Sequence, residues 1–79
     1  MESSYNLSHI NPGEKAVIKE ILLSGHMKRR LLDIGTVEHT EIECVGKSPL
    51  GDPIAFLIRG AVIAIRSEDC EKILIYPDN

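Results

Sequence analysis

Between residues 54 and 65 the chain has almost one conformational choice. Ile54, Phe56 and Ile58 alternate with Ala55 and Leu57, and after Arg59-Gly60 the alternation resumes as Ala61, Ile63 and Ile65 with Val62 and Ala64 between them. A period of two is the strand period. A two-residue link with glycine second is the shortest connection that reverses a strand. The segment is therefore expected to form a tight antiparallel hairpin with Ile54, Phe56, Ile58, Ile63 and Ile65 on its core face. The interleaved positions are apolar too, so both faces are expected to be partly covered, as in a small closed barrel or a sheet with a second apolar contact. A chain of 79 residues has room for one core around such a hairpin and none for a second lobe. Phe56, Tyr5 and Tyr76 are its only aromatics, so that core is aliphatic.

The flanking segments are short. Asn11-Pro12-Gly13-Glu14 reads as a turn, because proline fixes one backbone angle and glycine supplies a positive one. Residues 15–23 are rich in β-branched side chains, but Ala16 and Ile18 share one phase and Ile21 and Leu23 the other. A bulge near Lys19-Glu20 would bring both pairs to one face. Met27, Leu31 and Ile34 fall at helical spacing and predict a helix over 27–34, stopped by Gly35 in a left-handed cap. Two turns of helix are not stable alone, so this one must dock. Ile42 and Cys44 then alternate with Glu41 and Glu43, apolar inward and acid outward, before a long turn over 47–53. Ser67-Glu68-Asp69 reads as a helix start capped by the Ser67 hydroxyl, and 73–76 as a last strand stopped by Pro77.

Together these elements predict one all-β, mainly antiparallel domain over 1–79, with residues 1–6 disordered. The architecture is a small, partly open SH3-like barrel of about five strands, with a short α-helix after strand one. An OB-fold is the alternative, but it places its helix between strands three and four.

Charge and composition exclude several functions. Twelve acidic against nine basic residues give a net charge of −3, unlike a chain that neutralises phosphates, so no nucleic-acid partner is expected. Three aromatics cannot both pack and stack bases. No apolar run approaches the ~18 residues that would span a bilayer, and the N-terminal residues do not read as a signal peptide. The expected location is therefore cytoplasmic. Cys44 and Cys70 are expected to be reduced and buried.

Gly46-Lys47-Ser48 imitates a phosphate loop, but Glu41 stands where its first glycine belongs and Pro49-Leu50-Gly51 replaces the following helix. No spacing suggests a nucleophile–base pair, so no enzymatic activity and no cofactor are expected. The best metal-ligand cluster is His39 with Glu41 and Glu43, which would share a strand face if that strand reached His39. At most weak divalent binding is expected there. The one concentration of positive charge is Lys28-Arg29-Arg30 on the short helix, a candidate contact for an acidic protein surface.

Several runs, in order, carry a resemblance. Pro12-Gly13-Glu14 leads into the first strand and Arg29-Arg30-Leu31-Leu32-Asp33-Ile34-Gly35 follows. Then come Leu50-Gly51-Asp52-Pro53, Arg59-Gly60, and Ala64-Ile65-Arg66 before an acidic turn. Over about residues 7–76 the chain resembles the FeoA family, the ferrous iron transport A proteins of bacteria. It departs from the family's Pro-Gly-like turn at Glu38-His39. The resemblance implies an SH3-like barrel with a helix inserted after strand one. It also implies a small accessory or regulatory role beside the membrane ferrous-iron transporter FeoB, reached through that partner's cytosolic region at the inner face of the membrane, with no insertion of its own. Homo-oligomerisation is compatible with this role. The same domain occurs at the C-terminus of diphtheria-toxin-repressor-type regulators, so the alternative role is a free-standing metal-responsive regulatory module.

Overall fold

The computed structural model describes residues 5–76. Its strands are β1 (Lys15–Ile21), β2 (Glu41–Lys47), β3 (Ile54–Ile58), β4 (Ala61–Ile65) and β5 (Ile73–Ile75). Its α-helices are α1 (Gly25–Asp33) and α2 (Ser67–Cys70), and a single 3-10 turn spans Leu7–His9. One antiparallel sheet runs in the order β4-β3-β2-β1-β5 and does not close. This is the expected all-β, SH3-like arrangement, with α1 directly after β1.

The sheet bends because β1 serves two partners. Lys15, Ala16 and Val17 pair with Glu43, Ile42 and Glu41 of β2. Beyond Ile18 the strand turns to β5, and the register slips between Ile18 and Glu20, leaving Lys19 as the extra residue. The broken alternation of residues 15–23 records this bulge, which returns Leu23 to the core. A second slip between Cys44 and Gly46 leaves Val45 pointing outward.

The hairpin forms as expected. Arg59 and Gly60 both take positive φ, 49° and 84°, the combination a type I′ turn requires. Phe56, Ile58 and Ile65 are fully buried, with Ile54 and Ile63 nearly so. The second face is partly covered, as expected, and unevenly so: Ala55 and Leu57 of β3 are half-buried, while Val62 of β4 is 64% exposed and Ala64 is exposed as well. The sheet is open at β4, so the inner face of the hairpin supplies its core residues.

α1 seats on this core through Leu31, with Met27 and Ile34 half-buried beside it. It starts two residues earlier than the apolar stripe suggests, after Ser24 as N-cap. Its end is a Schellman cap: Gly35 at φ 87°, Gly35 N–H donating to Leu32 O and Thr36 N–H to Leu31 O, both at 2.9 Å. The Arg59 side chain lies over this cap, so close that a Cβ on Gly35 would sit 2.8 Å from its Nε. The hairpin tip and the negative end of the α1 dipole are thus held together.

α2 differs from the expected Ser67 cap. Arg66 is the N-cap, and the orphan Ser67 N–H donates across the fold to Asp52 Oδ1 at 2.8 Å. The carboxylate of the long turn after β2 supplies what the local sequence was expected to supply.

Residues 1–4 and Pro77 lie outside the described residues, so the disorder expected for 1–6 bears here only on Tyr5 and Asn6. Both are tied to the sheet: Ile75 N–H donates to Tyr5 O at 3.0 Å, and Asn6 bridges to Leu74 and caps the 3-10 turn.

Candidate docking surface

The helix that the core needs for its apolar stripe presents the opposite side to solvent. Arg29 and Arg30 are exposed and Lys28 is half-buried. With His26, Leu32 and Asp33 they line a shallow groove along the outer side of α1. Leu32 is 46% exposed, so the groove has an apolar floor between cationic walls.

Among the described residues, none of Lys28, Arg29 and Arg30 enters an ion pair; the one pair found joins His39 and Glu38 at 3.9 Å. The three charges therefore face outward uncommitted. The Schellman cap and Arg59 hold the helix end in place, so little backbone freedom is left to be lost there on binding.

The three metal candidates are not brought together. β2 begins at Glu41, and His39 lies before it in a turn closed by Thr40 N–H donating to Val37 O at 3.0 Å. His39 takes φ 78° there, a left-handed conformation that breaks strand alternation, so it does not share a face with Glu41 and Glu43. Those two pair with Val17 and with Lys15 and Leu57. Among the described residues no group of three His, Cys, Asp or Glu side chains could hold a metal ion.

His39 instead stacks on Tyr76, with ring centroids 5.5 Å apart and 12° between planes. The Tyr76 hydroxyl donates to Glu38 Oε2, and that bond raises its pKa. Lys19 Nζ lies 6.0 Å from the centroid of the same ring. The departure at Glu38-His39 is thus a built turn, anchored by an aromatic from beyond β5. Separation by 38 residues hides this contact from any local pattern.

Cys44 and Cys70 are free and fully buried, as expected. No helix is long and apolar enough to cross a membrane among the described residues.

An open, five-stranded antiparallel sheet with a helix inserted after its first strand is an SH3-like fold. The match to a known family is more specific. The FeoA domain model covers residues 5–77, and the chain belongs to that family. A fused Fe(2+) transport protein A/Fe(2+) transporter FeoB of Porphyromonas gingivalis is 34% identical over 67 residues. That match takes in 85% of this chain and 8% of the fusion protein, so the chain corresponds to a small part of that relative. The solution structure of the FeoA protein of Chlorobium tepidum superposes with a TM-score of 0.83 at 28% identity, over 90% of this chain and 68% of the other. A manganese-dependent transcriptional repressor shares the fold alone, with a TM-score of 0.74 at 16% identity over 95% of this chain and 37% of the repressor.

Proposed function

We propose that this chain serves ferrous-iron uptake as a non-enzymatic accessory, and that it docks through the outer face of α1 on the cytosolic region of a FeoB-type transporter. The observation that carries the reading is the covalent joining of the two proteins in the P. gingivalis relative, since fusion keeps the domain close to its partner. Membership of the FeoA family supports the same role.

The groove supports the choice of α1. Three uncommitted cations around an exposed Leu32 suit an acidic segment with an apolar anchor. The long stems of Lys28 and Arg29 can cover that anchor as it buries. Charge of this kind mainly sets association rate and orientation, as an accessory that comes and goes requires.

Ferrous-iron uptake in cells tests the role. Cells lacking this chain should accumulate labelled ferrous iron more slowly, and the wild-type chain should restore the rate. The Lys28→Glu, Arg29→Glu chain should not restore it at equal abundance. Uptake indifferent to the chain's presence contradicts the role; full rescue by the double variant contradicts the choice of face.

A further inference from the structure

The two edges of the sheet are treated differently. Beside β5, the preceding chain covers the edge through the Asn6–Leu74 bridge and the Ile75–Tyr5 hydrogen bond. The β4 edge has no such cover: among the described residues no hydrogen bond reaches Val62 or Ala64 from outside the hairpin.

The register says which groups that edge presents. A two-residue turn makes Ile58 and Ala61 a hydrogen-bonded pair. Bonded and non-bonded pairs alternate, so Phe56–Ile63 and Ile54–Ile65 are bonded as well. Val62 and Ala64 therefore turn their N–H and C=O groups away from β3. Residues 61–65 contain no lysine, proline, bulge or charge, the devices that ordinarily keep an open edge from pairing.

We infer that β4 is a self-pairing edge: two copies of this chain join antiparallel about a two-fold axis at Ile63, with Val62 of one copy opposite Ala64 of the other. The outward residues flank Ile63 symmetrically, so this single register satisfies the outward groups of both copies. It continues the apolar row of half-buried Leu57 and exposed Val62 into Ala64 and Ala55 of the second copy. At both ends it sets Arg59 of one copy opposite Ser67 of the other, between the exposed Arg66 and Glu68 of that copy. An unrelated extended segment would need its own match to this short alternation, whereas a second copy supplies it by symmetry about Ile63.

Sedimentation velocity from micromolar to millimolar protein, with amide hydrogen exchange on the same samples, tests the pairing. The wild-type sedimentation coefficient should rise with concentration. Exchange at Val62 and Ala64 should slow with it, while Ala61, Ile63 and Ile65, already bonded to β3, should change little. Val62→Pro removes an outward donor and leaves the β3 bonds alone, a place where an edge strand tolerates proline. Should that variant not fold, Val62→Lys puts like charges on diagonal neighbours across the axis and should weaken self-association by at least about tenfold. A wild-type chain that stays monomeric throughout overturns the inference. So does a dimer that Val62→Lys leaves unchanged, or one that protects amides other than Val62 and Ala64. Protection of those two amides by the transporter's cytosolic region, with none from a second copy, overturns it as well.

Discussion

Burial pushes the Cys70 thiol up from the ordinary 9.0 to about 12, and the negative charges of Asp52 and Asp69 add to the effect. In the fold this thiol keeps its proton across the whole range in which an unfolded chain would lose it. Below the ordinary value both states hold the proton and stability is unaffected. Above it only the unfolded chain releases one, so stability falls until the folded thiol titrates too. The expected slope from this single group is at most about 1.4 kcal/mol per pH unit. Denaturant unfolding of the wild type and of Cys70→Ala, compared between pH 8 and 11, measures it as the difference between the two slopes. Equal slopes would mean that Cys70 is solvated. The sequence identifies this residue as a buried, reduced cysteine, and that reading holds. It gives no sign of Asp52, which approaches from 18 positions away in the chain.

The elements legible in advance are those specified by neighbours in sequence. The hairpin, the bulge at Lys19, and the Schellman cap at Gly35 all come from periodicity or from one residue's backbone preference. Misread elements are those completed from elsewhere. His39 looks like the first residue of a strand but is held in a turn by bonds to β1 and contact with Tyr76. The two-sided apolar pattern of the hairpin predicts partial cover on its second face, and the structure confines that cover to Ala55 and Leu57, leaving Val62 and Ala64 at an open edge. α2 looks self-capped but depends on Asp52. Asp52→Ala leaves the Ser67 N–H without its acceptor and removes an anion from the positive end of the helix, which should cost about 1–2 kcal/mol. Thermal unfolding reads the loss, and faster modification of Cys70 by a thiol reagent under native conditions reads the loosening of α2. Asp52→Asn keeps a side-chain acceptor and should lie between the two. An unchanged melting temperature in Asp52→Ala would show that the capping contact adds nothing to stability.

Across the whole molecule the division of labour follows from the sheet. Its concave side and α1 consume the apolar residues, with Phe56 as the one aromatic in the core. What remains outside is a mixed, net-acidic surface on which α1 carries three successive cations and β4 a bare edge. The cationic face is legible in the sequence because three basic residues stand together beside a helical stripe. That none of them enters an ion pair among the described residues emerges only from the fold. The direct test of the account is a binding titration of this chain against the purified cytosolic region of a FeoB-type transporter, across a salt series. The wild type and the Lys28→Glu, Arg29→Glu variant, confirmed folded, are compared at each salt. The account predicts wild-type binding that weakens as salt rises, and a variant that binds more weakly at low salt and converges on the wild type at high salt, because screening removes what the substitution removed. Equal affinities at every salt concentration would contradict it.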